Sequence, residues 1–137
     1  MSTEHWFHSR LHEIAESDCR ELLEAHAVGR IVFNDHVGPV ALPVNYTLDR
    51  GDILVATRAY GSVARSVPGK VVAFEIDDVD DFTASGWSVV VRGPARLVGL
   101  NDLPDESNRP YPWAEGNRNL LLRIRPDTIS GRRLFPA

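Results

Sequence analysis

The chain has 137 residues, of which 43% are hydrophobic and 25% are charged, a composition typical of one globular domain. It contains no apolar run near the roughly 20 residues of a membrane-spanning helix, and its first residues lack the basic start and apolar core of a signal peptide. Its formal charge of −4 argues against nucleic acid as a partner, since phosphate backbones bind to basic surfaces. We therefore expect a single cytoplasmic domain over residues 1–137, with 1–16 as an N-terminal extension and with neither a membrane nor a nucleic acid as its partner.

The cysteine and lysine content and the absence of common motifs limit the kinds of binding or catalytic site that this chain can form. Cys19 is the only cysteine, so neither an intrachain disulfide nor a cysteine zinc cluster can form, and we expect it to be a packing residue. Lys70 is the only lysine among 15 basic residues, so a phosphate bound by a cation would meet arginine. The sequence contains no dinucleotide-binding glycine motif, phosphate-binding loop, nucleophile elbow or zinc-protease histidine pair.

The N-terminal part predicts helices. One is expected over 18–27, where Asp18 and Glu21 have the spacing of a capping box and Gly29 follows the last turn. Residues 5–16 predict a looser helix, on which three histidines share one face: His5, His8 and His12. We interpret that face as solvated surface, because no carboxylate or cysteine completes a metal-ligand set.

From residue 30 the apolar period changes from helical to alternating, which predicts β-strands. Three strands with short turns between them are expected: 30–34, 40–48 and 53–57. Pro43 lies within the second strand and cannot donate a ladder hydrogen bond, so it marks a sheet edge or a bulge. Residues 58–67 break the strand pattern and predict one or two helical turns.

The second half predicts four more strand segments: 71–76, 86–100, 119–125 and 129–134. The first is apolar on both faces, which is typical of a fully buried strand, and an acidic loop over 77–81 follows it. The long strand has Gly93 and Pro94 at its middle, where a small barrel needs a bend. In the next strand, alternation places Arg123 on the outer face.

The predicted elements sum to six or seven strands with one or two helices. Residues 101–117 are polar, contain three prolines and predict a loop with one short helix. Strands at this spacing predict an antiparallel β-barrel or sandwich, and no strand–helix–strand series long enough for a parallel sheet is present.

Three segments combine residue types that suit a planar, phosphorylated ligand. Residues 43–46 place an amide and an aromatic ring beside a strand break, which suits a heterocycle, although Tyr46 fits core packing equally well. Residues 57–65 combine hydroxyls, a glycine and two arginines at a strand end, which fits either a phosphate cradle or a polar turn. Trp87 and Ser88 open the long strand, where Trp87 fits the core, an interface or a ligand wall.

These segments and their neighbours resemble the pyridoxamine 5'-phosphate oxidase-like family of FMN-binding split β-barrel proteins, near its small actinobacterial and nitroimidazole-reductase-like members. The resemblance covers about residues 22–134. The residues that carry it occur in this order: Leu22-Leu23, Val28-Gly29-Arg30-Ile31-Val32-Phe33, Pro43-Val44-Asn45-Tyr46, Thr57, Gly61-Ser62, Val72-Ala73-Phe74-Glu75-Ile76-Asp77, Gly86-Trp87-Ser88-Val89-Val90-Val91-Arg92-Gly93-Pro94-Ala95, Arg123-Ile124-Arg125-Pro126 and Ile129-Ser130-Gly131-Arg132-Arg133. It implies a mainly β fold, a six-stranded antiparallel split β-barrel with one or two flanking helices.

In that family two subunits pack together, and each of two FMN molecules lies in the groove between them. The resemblance therefore implies a homodimer, an FMN cofactor and a small-molecule substrate. It assigns the flavin ring to Pro43, Val44, Asn45 and Tyr46, the ribityl phosphate to Thr57, Arg58 and Ser62 with Gly61 beside them, and the flavin edge or the dimer seam to Trp87 and Ser88.

One position departs from the family pattern. After Gly61 and Ser62 the family usually has a phosphate-binding lysine, and this chain has Val63. Either Arg58 or Arg65 can supply the missing cation; if neither does, a deazaflavin becomes the alternative cofactor. The implied function is that of an FMN-dependent oxidoreductase, and the alternatives are a deazaflavin-dependent reductase and a non-catalytic flavin or tetrapyrrole carrier.

Overall fold

A computed structural model of the chain describes residues 10–58, 61–110 and 120–136. The strands in this part are β1 (Arg10–Ile14), β2 (Val28–Asn34), β3 (Pro39–Asp49), β4 (Asp52–Thr57), β5 (Val71–Asp80), β6 (Ser85–Leu97), β7 (Leu120–Ile124) and β8 (Thr128–Phe135). The helices are α1 (Glu16–Ala25) and α2 (Ser62–Ser66), and neither is long and apolar enough to cross a membrane. Two 3-10 turns, Leu100–Asp102 and Glu106–Asn108, lie at the predicted loop over 101–117, of which 111–117 falls outside the described residues.

Six of these strands close into an antiparallel barrel in the order β6-β5-β2-β3-β4-β7, with β7 pairing back onto β6. β8 also pairs with β6, and β1 pairs with β8, so the sheet continues beyond the barrel. The prediction of a mainly β, six-stranded antiparallel barrel with flanking helices is confirmed. Closure suits these strands because it removes the exposed edges that an open sheet would leave.

Two long strands change partner along their length, and these changes split the barrel. β3 pairs with β2 over Pro39–Asn45 and with β4 over Tyr46–Asp49. β6 pairs with β8 over Gly86–Arg92 and with β7 over Ala95–Leu97. Pro43 lies in the part of β3 that pairs with β2 alone, which confirms the sheet edge predicted from its missing N–H.

Gly93 lies where β6 changes partner, and the turn between β7 and β8 passes directly against it. A Cβ atom on Gly93 would lie 1.7 Å from the carbonyl oxygen of Arg125. Hydrogen bonds hold this turn on both sides of the glycine: the Arg125 amide donates to the Pro94 carbonyl at 3.1 Å, and the Asp127 amide donates to the Arg92 carbonyl at 2.8 Å. A close backbone contact therefore requires glycine at the point where β6 changes partner, whereas the bend predicted there stays a prediction.

The barrel interior is filled by aliphatic and aromatic side chains that alternate along the strands. The largest fully buried ones are Tyr46, Phe74, Ile31, Ile53, Ile76, Leu122 and Ile124. α1 packs on this core through Cys19 and Leu23, both buried, so Cys19 is a packing residue as predicted. Its sulfur would lie 2.6 Å from a Cβ on Gly131, so a side chain at that position of β8 would push the helix away.

The first helix begins two residues earlier than the sequence predicted. α1 covers Glu16–Ala25, whereas the capping pattern placed a helix over 18–27. Ala15 occupies the cap position without a side-chain hydrogen bond, and Asp18 lies within the first turn. An acidic residue there still complements the positive end of the helix dipole, so the signal marked the correct end of the helix but not its first residue.

The predicted helix over 5–16 is wrong in the part that the structure describes. Residues Arg10–Ile14 form a strand whose partners on β8 run from Phe135 to Gly131. Pairing with β8 supplies ladder hydrogen bonds, whereas a short isolated helix is marginal in water. The described residues therefore contain eight strands, against six or seven predicted, and residues 5–9 lie outside them.

The acidic loop predicted over 77–81 is wrong for most of its length. β5 continues to Asp80, and its last four residues pair with Ser85–Ser88 at the start of β6. The expectation of a strand buried on both faces is also wrong, because Val72 is buried while its neighbour Val71 is 70% exposed. β5 is an ordinary barrel strand with one face in the core.

Arg123 lies on the outer face of β7, as alternation predicted, because its neighbours Leu122 and Ile124 belong to the core, but it is buried there rather than exposed. Its side chain is only 4% exposed and donates to Asp49 Oδ2 at 2.6 Å and to Asp52 Oδ2 at 3.2 Å. The Arg123 guanidinium holds the pKa of the Asp49 carboxyl below its usual range. The Asn108 side-chain amide also donates to Asp49, at 3.5 Å, so this buried group ties the second 3-10 turn to the β3–β4 hairpin. A charge is buried here because carboxylates on the neighbouring hairpin compensate it.

We expect Gly93→Ala to lower the free energy of unfolding by about 1–3 kcal/mol or more, because its Cβ would overlap fixed backbone. Gly99→Ala is the matched control, since no atom lies within 4 Å of a Cβ there, and it should change stability by less than about 0.5 kcal/mol. Urea unfolding of both variants measures the difference. Equal stabilities for the two variants would show that the backbone contact at Gly93 does not restrict this position to glycine.

We expect Arg123→Met to lower the free energy of unfolding by about 3–5 kcal/mol, because it leaves the Asp49 carboxylate buried without its main partner. Arg125→Met is the control: Arg125 pairs with Asp127 at 3.7 Å with side chains 69% and 54% exposed. Exposed pairs contribute little, so this variant should stay within about 0.5 kcal/mol of the parent in the same unfolding measurement. A small loss for Arg123→Met would show that the buried charges are not coupled as described.

Candidate functional site

A cleft of about 310 Å³ opens where β3 separates from β4. Its walls come from three elements: the middle of β3, the end of β4 and the beginning of α2. The lining residues are Leu42, Pro43, Val44, Asn45, Ala56, Thr57, Arg58, Gly61, Ser62 and Val63. Eight of these were candidates from the sequence; Leu42 and Ala56 were not, and each is the strand neighbour of a candidate.

The partner change of β3 creates one wall of the cleft. Leu42, Pro43 and Val44 pair with β2 on one side only, because β3 reaches β4 only from Tyr46 onwards. Pro43 has no amide hydrogen to offer a ladder, so its place on this open edge costs no hydrogen bond. The open edge of β3 therefore faces the cleft.

A tight turn and a short helix form the opposite wall. β4 ends at Thr57, and the Gly61 amide donates to the Arg58 carbonyl at 3.2 Å, which brings the chain back toward the strand. α2 then begins at Ser62, so the helical turns predicted over 58–67 are confirmed as Ser62–Ser66. Val63 is buried beneath this helix and contributes an apolar surface to the cleft.

The cleft has one apolar part and one polar part. Leu42, Val44 and Val63 supply aliphatic surface, whereas hydroxyl and guanidinium groups come from Thr57, Ser62 and Arg58. Arg58 is exposed, and no ion pair to it occurs among the described residues. An unpaired guanidinium beside two hydroxyls can bind a phosphate, and the aliphatic wall can cover the face of a planar ring.

Tyr46 belongs to the core, one of the two roles that the sequence left open for it. Its ring is 2% exposed, and its hydroxyl donates to the Leu23 carbonyl at 2.7 Å. The ring also meets Phe74 edge to face, with centroids 4.8 Å apart. Burial raises the pKa of the Tyr46 hydroxyl, so it remains a neutral donor that fixes α1 against the barrel.

Three other candidates lie away from the cleft in a single chain. Arg65 is exposed on α2 and does not line it. Trp87 is half-buried, with its ring 5.1 Å from that of His26, and Ser88 pairs with Arg132 of β8. Trp87 and Ser88 instead line a separate, smaller hollow of about 190 Å³ on the β6–β8 part of the sheet.

A charged cluster beside the cleft was missed by the sequence analysis. Arg30 of β2 donates from Nη1 to Glu75 Oε1 at 3.2 Å and to Asp77 Oδ2 at 3.0 Å, both on β5. Burial, and then the neighbouring Asp77 carboxyl, raises the pKa of Glu75 to about 7. The alternating acidic residues of β5 indicate that two carboxyl groups share one face of the sheet. Only the pairing of β2 with β5 shows that an arginine lies between these carboxyl groups and the cleft.

The remaining sequence features form no metal site in the described residues. No group of three histidine, cysteine or acidic side chains is placed to hold a metal ion in that part of the chain. His12, one of the three histidines of interest, lies on β1 with its ring 5.2 Å from that of Phe135. The other two, His5 and His8, fall outside the described ranges.

Comparison with known proteins identifies relatives of similar length. The chain is 31% identical over 128 residues to Rv0080, an uncharacterised protein of Mycobacterium tuberculosis, covering 89% of this chain and 84% of the relative. Among solved structures, an FAD-binding protein from Mycobacterium smegmatis is 28% identical with a TM-score of 0.68, over 90% of this chain and 98% of that one. A Corynebacterium glutamicum protein described as a candidate pyridoxamine 5'-phosphate oxidase is 27% identical with a TM-score of 0.73, over 93% of this chain and 95% of that one.

The protein-family model described as pyridoxamine 5'-phosphate oxidase matches residues 15–133, which include every barrel strand and the whole cleft. The eight-stranded topology and the similar structures agree with that match. The chain therefore belongs to the pyridoxamine 5'-phosphate oxidase-like family.

Proposed function

We propose that the protein binds a flavin in the cleft between β3, β4 and α2 and acts as a flavin-dependent oxidoreductase. The observation that carries this proposal is the cleft itself, since two segments more than ten residues apart in sequence, around Pro43 and Ser62, line one space with an apolar wall and a polar end. The similar Mycobacterium smegmatis structure, described as an FAD-binding protein, supports it.

The lining residues suit the two chemical parts of a flavin. The isoalloxazine ring would lie against the open edge of β3, where Val44 gives apolar surface and Asn45 gives an amide. The ribityl phosphate would meet the Thr57 and Ser62 hydroxyls at the polar end. FMN and FAD share these parts; we propose FMN because the cleft of about 310 Å³ has a single polar end.

Arg58 is the cation that we assign to the phosphate. It lines the cleft, whereas Arg65 is exposed outside it, and Val63 occupies the position where the family usually has lysine. A guanidinium can bind two phosphate oxygens at once, so one arginine is a sufficient replacement for a lysine. A deazaflavin would replace FMN as the proposed cofactor only if Arg58 contributed nothing to phosphate binding.

The bound flavin would supply the hydride chemistry, and this chain's residues would bind it, orient it and limit its exposure to water. This division of roles is consistent with the described lining of the cleft, in which no nucleophile has an adjacent base. We propose that the substrate is a small molecule and that the protein works in the cytoplasm.

We further propose that the protein is a homodimer with the cofactor at the subunit interface. The cleft is open on one side, and the separate hollow that holds Trp87 and Ser88 exposes the apolar side chains of Leu11 and Val79, 58% and 65% exposed, which a second copy would cover. Light scattering should give twice the 15.2 kDa mass of one chain. A strict monomer that still binds flavin tightly would overturn this part of the proposal.

The absorption spectrum of the purified protein tests the function directly. We expect flavin bands, release of FMN on denaturation, and bleaching of the bands when a nicotinamide donor is added. A colourless protein that binds a deazaflavin but not FMN would overturn the assignment of the cofactor. Bound flavin that no donor reduces would identify a carrier and overturn the oxidoreductase.

We expect Arg58→Gln to weaken FMN binding by about one to two decades, because a charge-assisted contact contributes roughly 1.5–3 kcal/mol. Riboflavin, which lacks the phosphate, should bind both proteins equally. Arg65→Gln removes the same charge from the exposed face of α2 and is the matched control, with little expected change. Quenching of flavin fluorescence gives the dissociation constants, and equal losses for the two variants would contradict the role of Arg58.

A further inference from the structure

Arg30, Glu75 and Asp77, which we call the carboxylate cluster, lie on the outer face of the sheet beside the cleft. Arg30 is directly opposite Pro43 of β3 on one side and directly opposite Glu75 of β5 on the other. Residues directly opposite each other on neighbouring strands share a face of the sheet. Two strand spacings, about 10 Å in all, therefore separate Glu75 from the wall of the cleft at Pro43.

The two carboxyl groups are held together by one cation. The same nitrogen, Arg30 Nη1, donates to both at 3.2 and 3.0 Å, and the side chains of Glu75 and Asp77 are only 24% and 28% exposed. Because both carboxyl groups contact this one nitrogen, they lie close to each other, and burial together with the neighbouring Asp77 carboxyl raises the pKa of Glu75. Two like charges at this distance favour a state in which the pair holds one proton.

The other charged groups near the cluster are few. Across β6, Glu75 faces Val90 and Asp77 faces Ser88, neither of which titrates. Arg92 follows on the same face of β6, and Arg132 of β8 lies opposite Ser88. On the β3 side, Pro43 carries no charge. With its shared proton the cluster has no net charge, and without that proton its net charge is −1.

We propose that the carboxylate cluster makes ligand binding in the neighbouring cleft depend on pH, so that loss of its shared proton weakens the binding of an anionic ligand such as a flavin phosphate. This inference rests on the proposed flavin-binding function of the cleft. The ligand need not touch the cluster, because the effect is that of one charge acting across two strands. Burial of Glu75, which raises its pKa to about 7, places the change near neutral pH.

The size of the effect follows from Coulomb's law. One added negative charge about 12–15 Å from a doubly charged phosphate, at an effective dielectric constant of about 40–60, weakens binding roughly three- to ten-fold. The effect should shrink as salt is added, since the Debye length is about 10 Å at 0.1 M ionic strength. An uncharged ligand should show no comparable change.

The test is the dissociation constant of FMN at pH 6.0 and pH 8.5 for the wild type and for Glu75→Gln, at low salt. The variant cannot acquire the extra charge, so at pH 8.5 it should bind FMN roughly three- to ten-fold more tightly than the wild type and at pH 6.0 about equally. The FMN phosphate itself titrates in this range, but it does so equally in both proteins. Glu24→Gln, on the exposed face of α1, is the matched control and should behave as the wild type.

A second variant and a second ligand keep the result unambiguous. Asp77→Asn also leaves the cluster neutral and should reproduce the effect of Glu75→Gln, whereas riboflavin should bind all the proteins independently of pH over this range. The same pH response in the wild type and in both cluster variants, or an equal response with riboflavin, would overturn the proposal.

Carboxyl NMR of the protein without flavin separates this proposal from the proposed function. Titration of Glu75 near neutral pH, together with no FMN binding in any variant, would mean that the cluster exists but that the cleft does not bind flavin. Tight FMN binding with an unchanged pH response would leave the proposed function standing and would overturn only the inference about the cluster.

Discussion

The structure depends on one constraint of backbone hydrogen bonding: β3 cannot pair with β2 and β4 over its whole length. It pairs with β2 up to Asn45 and with β4 from Tyr46. The barrel closes because β3 forms a ladder with each of its two neighbours. A cleft opens because the two ladders use different parts of β3, so the part that pairs with β2 has no partner on its other side. This wall of the cleft is thus a direct result of the way the small barrel is closed.

The arginines show how the same side chain serves different purposes according to its surroundings. Arg123 is buried between Asp49 and Asp52, where it stabilises the β3–β4 hairpin and is unavailable to a ligand. Arg30 is shared by two carboxyl groups on the sheet surface. Arg58 lines the cleft without an ion-pair partner among the described residues, so its positive charge is available to a ligand. Only the last arrangement suits recognition of a free anion.

Much of the fold was predictable because its signals are local. Alternating apolar residues located the barrel strands, and Pro43 and Gly93 marked the places where strands change partner. The strand at Arg10–Ile14 was not predictable, because its structure comes from pairing with β8 at the other end of the chain. Nor was the burial of Arg123, since alternation gives the face of a residue but not the carboxylates that a neighbouring hairpin brings to it.

The sequence predicted most of the residues that line the cleft, but it did not show which candidate residues lie outside it. Segments around Pro43 and Ser62 carry recognisable residue types, and the fold brings them together. These residue types did not show whether Tyr46 lines the cleft or packs in the core. Adjacent residues of a strand face opposite sides, so Tyr46 packs in the core although the residue before it lines the cleft. The cluster at Glu75 could not be found from sequence alone, because it requires the register between β2 and β5.

The central claim is that the cleft where β3 leaves β4 is the flavin site, and NMR mapping tests it most directly. FMN is titrated into the ¹⁵N-labelled protein, and the backbone amide shifts are followed to saturation. The account predicts that the saturating shift changes centre on the amides of Val44, Asn45, Thr57, Arg58 and Ser62. In the proposed homodimer, amides of the second subunit that meet the flavin at the interface should also shift. Saturable changes centred instead on the groove between α1 and β1, at Ile14, Leu22 and Phe135, or no saturable change at all, would contradict it.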